Sequence, residues 1–187
     1  SGDHSITNGI TLTTTDDFVA CGTTMHIDAS GLAATNGNYD PFTFVFDGHD
    51  ESDGHFFVQG GPGDDTIIGG RLDDTLDGGS SIDGNWLDYS YSSTGLTLTL
   101  DGANTATAYL SASDHDSVSH FQNVIGTAHD DTITGDGADN ILEGGAGNDI
   151  LDGGSGWNTV SYAHAASAVE VHLDSGSTLT APVGYHG

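Results

Sequence analysis

Large apolar residues recur nine positions apart in two stretches of the chain: Ile67 and Leu76 in the first, Ile133, Leu142, Leu151 and Val160 in the second. Thr66, Thr75, Thr132 and Thr159 precede them, and Asp77, Thr134, Glu143, Asp152 and Ser161 follow. Side chains of a strand alternate between its faces. Each apolar residue is therefore the centre of a three-residue strand and points into a core, while its flanking residues face solvent. Six residues rich in Gly, Asp and Asn separate successive strands. Upstream, Ile10–Thr15, Thr23–Asp28, Phe42–Phe46 and His55–Gln59 carry the β-branched and aromatic bias of strands, and they read as irregular coils leading into the first array. No stretch holds a helical period.

Strand and loop together make a nonapeptide. GTAHDDTIT, GDGADNILE, GGAGNDILD and GGSGWNTVS follow one another without a spacer from Gly126 to Ser161. GGPGDDTII, GGRLDDTLD and a looser GGSSIDGNWLDYS run from Gly60 to Ser90. The shared form is G-G-x-G-x-D-x-U-x, a signature of calcium-binding parallel β-helices. Its letters have physical reasons. Glycine reaches dihedrals that a Cβ forbids, so six residues can turn sharply. The turn leaves carbonyls facing inward, and Ca²⁺ takes six to eight hard oxygen ligands. The candidate calcium-site residues are therefore the loop positions Gly61, Gly63, Gly70, Gly79, Gly126, Gly135, Gly145, Gly147, Gly154 and Gly156, with the sixth-position residues Asp65, Asp74, Asp131, Asn140, Asp149 and Asn158. In the looser repeat, counting from Gly78 favours Asp83 as the sixth residue, whereas alignment to the second array favours Asn85. Both stay open.

These arrays resemble the RTX (repeats-in-toxin) family of secreted calcium-binding proteins. The resemblance implies an all-β fold: a right-handed parallel β-roll or β-solenoid, two nonapeptides to a coil, with Ca²⁺ between stacked Gly/Asp-rich loops. It places Asp131 and Asp149 in one stack and Asn140 and Asn158 in the opposite one. An amide oxygen brings no charge, so the asparagine side is expected to bind calcium more weakly. The resemblance further implies a chain that stays disordered in a calcium-poor cytosol, leaves by a type I exporter and folds outside.

A larger unit also repeats. LDYSYSSTGLTLTLDG from Leu87 aligns without gaps on VSYAHAASAVEVHLDSG from Val160, at an offset that puts Tyr89 on Tyr162 and Asp101 on Asp174. The expected organisation is one continuous solenoid: irregular coils over 1–59, a first array with its strand unit over 60–124, and a second over 125–187. Thr105–Gly126 between them reads as strand material with an acidic turn at Asp114, His115 and Asp116.

Charge narrows the partners. The formal net charge is −27, and Arg71 is the sole Lys or Arg against 28 acids. Only three of those acids are glutamate (Glu51, Glu143, Glu170), and the short Asp side chain suits tight metal-binding loops better than mere salt adaptation. Self-repulsion opposes compaction without cations, so calcium binding is expected to be coupled to folding. No basic patch offers itself to nucleic acid. No apolar run approaches the ~20 residues of a membrane span. Cys21 is alone, which excludes an intrachain disulfide. With no initiator Met or signal peptide at Ser1, the chain reads as a processed product or an excised piece.

Other chemistry finds less footing. The ten histidines include no His-Glu-x-x-His; His49 with His55, and His115 with His120, flank acidic residues and are read as surface groups rather than zinc ligands. No Gly-x-Ser-x-Gly elbow occurs, and no catalysis is expected. DGHDESDG (47–54) is either an atypical calcium loop using Asp47, Asp50 or Asp53 or a solvated acidic turn. Trp86 and Trp157 are expected in loops at equivalent array ends, packed against a coil end or, as the alternative, stacked on a sugar. Three roles remain: a structural or assembly part of a secreted surface protein (adhesin, filament or surface layer), with self-association or calcium-bridged assembly; the carboxyl-side secretion and folding module of a secreted hydrolase or protease; and an ice-binding solenoid. The last needs an unbroken Thr column, which Ile141 and Ile150 interrupt.

Overall fold

The computed structural model describes residues 9–16, 18–32, 43–81 and 84–165. Every regular element among them is a strand: β1 (Gly9–Thr13), β2 (Thr24–Asp28), β3 (Thr43–Asp47), β4 (His55–Gln59), β5 (Thr66–Ile68), β6 (Thr75–Asp77), β7 (Trp86–Asp88), β8 (Thr97–Thr99), β9 (Ala106–Ser111), β10 (Asp114–Ser119), β11 (Asn123–Ile125), β12 (Thr132–Thr134), β13 (Ile141–Glu143), β14 (Ile150–Asp152) and β15 (Thr159–Ser161). They form two sheets. One runs β1-β3-β5-β7-β11-β13-β15, parallel throughout. The other runs β14-β12-β8-β9-β10-β6-β4-β2. The chain alternates between the sheets and stacks each strand on its predecessor, which makes a parallel β-roll.

Register follows the apolar column. In the first sheet Phe46, Ile67, Leu87, Val124 and Leu142 pair in sequence, and all are buried. In the second, Val58 stacks on Leu76 and Leu76 on Val118, while Leu98 stacks on Ile133. A one-residue slip would turn every one of these outward, and each fully buried aliphatic contributes about 2 kcal/mol. The burial weakens at both described ends: Leu12, Met25 and Ile27 are only partly buried in the first coil, and in the last Leu151 is half-buried and Val160 exposed. The upstream segment is more regular than expected. Its five-residue strands β1 to β4 are coils of the same roll, in register with the first array.

A meander interrupts the second sheet. Between β6 and β12 it holds β10, β9 and β8, whereas the first sheet holds only β7 between β5 and β11. β9 is antiparallel to both neighbours. From β7 the chain crosses to β8 beside β12, reverses through Gly102 at φ 60° into β9, and reverses again into β10 beside β6. Ala106, Ala108 and Leu110 alternate inward with outward Thr107 and Tyr109. The second reversal lies at Ala112 and Ser113; Asp114, His115 and Asp116 open strand β10 and are not the turn the sequence suggests.

Candidate functional site: two oxygen ladders along the loop edges

Each nonapeptide loop ends on a sixth-position residue whose side chain turns into the roll. Asp65 Oδ1 accepts the N–H of Phe44 (2.7 Å), and Asn85 Oδ1 accepts the N–H of Asp65 (3.0 Å). Gln122 Oε1 continues the column on the N–H of Asn85 (3.2 Å), and Asn158 Oδ1 accepts the N–H of Asn140 (2.9 Å). Beside the second sheet, Asp74 Oδ1 takes the Phe56 N–H (2.7 Å) and Asp116 Oδ1 takes the Asp74 N–H (2.8 Å). Farther along, Asp131 Oδ1 takes the Leu96 N–H (2.7 Å) and Asp149 Oδ1 takes the Asp131 N–H (3.1 Å). The columns thus sort as the resemblance implied: Asp131 with Asp149 on one side, Asn140 with Asn158 on the other.

The remaining oxygen closes the residue's own loop. Asp65 Oδ2 accepts the N–H of Gly61, Asp74 Oδ2 that of Gly70, and Asp131 Oδ2 that of Thr127, each at 2.6 Å. Asn140 Oδ1 does the same for Asp136 (3.0 Å), and its Nδ2 donates to the Gln122 carbonyl (2.9 Å). Gly126 and Gly135 begin their loops by donating to the strand carbonyls of Glu143 and Asp152 (2.7 Å each). Gly63 is buried within its loop.

The glycine pattern matters most in the last two loops. Gly145 and Gly147 adopt φ of 92° and 128°, and Gly154 and Gly156 adopt 70° and 93°. A Cβ at these positions would strike the carbonyl oxygens of Thr127, His129, Asp136 and Ala138 on the loop stacked beneath. Gly79 (φ 92°) stands likewise against the Gly61 carbonyl, which accepts the Ser80 N–H at 3.0 Å. Around that pair lies a cleft of about 410 Å³ lined by Gly60, Gly61, Asp77, Gly79, Ser80 and His120. The donor set fits calcium: carboxylate, amide and carbonyl oxygens gathered on stacked loops. A carboxylate has about four lone-pair sites, so one that accepts two N–H groups retains capacity for a cation.

Electrostatics points the same way. Burial raises the carboxyl of Asp65 above its ordinary range, against the opposing N–H groups of Phe44 and Gly61, with Asp64 adding to the rise. Burial pushes Asp74 up to about 7, opposed by the N–H groups of Phe56 and Gly70 and reinforced by Asp114. Asp116 lies well above the carboxylate range, from burial and then from Asp74. Asp149 is raised by burial, opposed by the Asp131 N–H and reinforced by the charges of Asp131 and Asp130. No Lys or Arg other than Arg71 exists to compensate them.

Several positions differ from the sequence reading. Trp86 pairs with Thr66, which makes Asn85 the sixth-position residue of the looser loop; Asp83 lies outside the described residues. Trp86 stands in β7, while Trp157 sits in a loop and is 88% exposed, so the two are not equivalent and Trp157 packs against nothing described. Leu87 and Val160 do occupy matching strands of one sheet, but the aligned strand from Val169 lies outside the described residues. Glu143, placed on the solvent face, is buried under Ser161 and His164, which donate to it at 2.9 and 2.8 Å. In the 47–54 turn His49 contacts Asp47 and Asp50, and the organising residue is Glu51, fully buried and accepting the N–H groups of Val19, Asp53 and Gly54.

Two sets of residues escaped sequence reasoning. Asp116 and Gln122 fill sixth positions outside any nonapeptide, visible only once Ser117 pairs with Thr75 and Asn123 with Trp86. Fifth-position acids make a second, outer ladder: Asp130 accepts the Asn148 N–H (2.8 Å), Asp139 the Trp157 N–H (2.7 Å), and Asp73 the His115 N–H (2.8 Å). The recurring Asp-Asp pairs at 64–65, 73–74 and 130–131 were the signal for these.

The family model described as the RTX calcium-binding nonapeptide repeat matches in four copies, over residues 57–84 and 125–160. Both arrays therefore carry RTX calcium-binding repeats, and the ion they bind is Ca²⁺. Such repeats are a structural calcium-binding module rather than a catalytic one. No curated protein matches the chain. Among the described residues no helix is long and apolar enough to cross a membrane.

Proposed function

We propose that this chain is an extracellular module that folds when calcium binds and serves as a structural or assembly part of a secreted surface protein of the adhesin, filament or surface-layer kind. The observation that carries the reading is the pair of ladders: sixth-position oxygens stacked coil upon coil, with Asp65, Asp74, Asp116 and Asp149 raised by burial, on glycine loops whose carbonyls lie against the next loop. Calcium supplies the missing counter-charge. The ligands in this reading are the loop carbonyls and sixth-position oxygens, with the Asp131–Asp149 side binding more tightly than the Asn140–Asn158 side. Residues 60–124 and 125–187 are its two array units and 1–59 its leading coils. Extracellular calcium modules bind at around 10⁻⁴ to 10⁻³ M, which suits folding after export, and RTX repeats are typical of secreted proteins.

Assembly is supported by the acidic surface: with a net charge of −27, neighbouring copies need bridging cations to meet. In the first sheet Trp86, Asn123 and Ile141 follow Thr66, so no unbroken row of threonines suited to ice runs along that described face. Sedimentation velocity in calcium and in chelator tests the role. Calcium-dependent polymers support the surface-structure reading; a monodisperse calcium-loaded monomer favours the secretion and folding module of a hydrolase.

A further inference from the structure

A second, smaller cleft of about 220 Å³ lies where the leading coils, the first array and the meander meet. Its floor is an aromatic pair: the rings of His49 and Tyr91 stack at 4.2 Å with an interplanar angle of 14°. His49 is held by Asp47 and Asp50, so the platform is fixed from behind, while Tyr91 stays 59% exposed. Arg71, the only Lys or Arg in the chain, lines the cleft, and no described acid forms an ion pair with it. Asp114 lines it too, and its Oδ1 is buried without a hydrogen-bond partner among the described residues. The Ser92 and Thr94 hydroxyls, 3.3 Å apart, complete the rim.

We propose that this cleft binds one ring of a neutral saccharide, with the sugar's apolar face on Tyr91 and its hydroxyls shared between Arg71, Asp114 and the Ser92–Thr94 pair. The chemistry selects this class. Sugar hydroxyls donate and accept, so they satisfy both a guanidinium with five donors and no acceptor and a carboxylate with free acceptor capacity. An orphaned buried carboxylate oxygen is uncommon and calls for a partner. A nucleotide or other polyanion is repelled by the net charge of −27, and a metal cation is disfavoured by Arg71. The volume is below the ~300–1,000 Å³ of sites for drug-sized ligands, so a single ring fits rather than a long chain. None of these groups belongs to the calcium ladders, and the site goes beyond the calcium-folding role.

The test is saturation-transfer NMR on the full chain in calcium, with maltose, cellobiose, lactose and glucuronic acid as probes. Circular dichroism first establishes that each protein is folded, which separates failure of this site from failure of calcium-driven folding. At least one neutral disaccharide is expected to receive saturation, with affinity falling roughly tenfold in Tyr91→Ala and in Arg71→Gln. Trp157→Ala, exposed and remote in sequence, is expected to leave binding unchanged. Absence of transfer to every neutral sugar, binding that survives both Tyr91→Ala and Arg71→Gln, loss of binding in Trp157→Ala, or preference for glucuronic acid would each overturn the proposal.

Discussion

Asp149 accepts the backbone N–H of Asp131 at 3.1 Å across one full coil of eighteen residues, and Asn158 accepts that of Asn140 at 2.9 Å across the same interval. The two bonds are alike in geometry and differ in charge. Replacing either residue by Ala removes one such bond, so the backbone contribution nearly cancels between the variants. Asp149→Ala is expected to weaken calcium binding on the order of tenfold more than Asn158→Ala, since ligand charge tunes affinity. Parallel calcium titrations check this, and equal losses would contradict the assignment of tight and weak sides.

Leu142 and Leu151 occupy the same place in adjacent repeats but not the same environment. Leu142 is 1% exposed between Val124 and Val160, whereas Leu151 is half-buried in the last described coil of its sheet. The periodicity makes Leu151→Asp as damaging as any core charge; the structure transfers that expectation to Leu142. An uncompensated buried charge costs about 3 kcal/mol or more, so Leu142→Asp is expected to prevent folding at saturating calcium. Leu151→Asp is expected to fold with a reduced urea midpoint.

Glu51 provides a pH signature outside the nonapeptides. Burial works against its charge, but the N–H groups of Val19, Asp53 and Gly54 outweigh it and hold the carboxyl below its ordinary value of 4.5. A folded pKa below the unfolded one gives stability that is full above the unfolded value and lost as pH falls through the folded value. Glu51→Gln keeps one acceptor but directs an amide N–H at backbone donors. Its expected cost near neutral pH is about 2 kcal/mol. That difference from the parent chain, read by denaturant unfolding in calcium, should shrink below pH 4.5.

Asp116 meets Asp74 at the seam between the first array and the meander, and Tyr89 donates to its second oxygen at 2.8 Å. Asp116→Asn keeps an oxygen for the Asp74 N–H but removes a sixth-position carboxylate. Since ligand charge tunes affinity, the calcium concentration at the folding midpoint is expected to rise. A midpoint that stays the same or falls would show that Asp116 is not a calcium ligand.

The strands and the inward column were legible in the sequence because a nine-residue period with one apolar position admits few arrangements. The parallel direction, and the pairing of Asp131 with Asp149 and of Asn140 with Asn158, came from the family resemblance, which implies two repeats to a coil. The meander was not legible. Ala106, Ala108 and Leu110 alternate as any strand does, and alternation says nothing about which neighbour a strand joins or in which direction. For the same reason Asp116 and Gln122 were hidden: their place in the ladders depends on pairing with Thr75 and Trp86 through Ser117 and Asn123, far away in the chain. Glu143 was read as solvent-facing and Glu51 was given no role, because sequence alone cannot show the hydroxyl and backbone donors that cover them.

The central claim is that calcium binding between these loops drives formation of the roll. Far-UV circular dichroism during a calcium titration from chelator, with magnesium as control, tests it most directly. A coil-to-β transition in calcium with magnesium inactive is the expected result. A chain already folded in chelator, with a spectrum that calcium leaves unchanged, would contradict it.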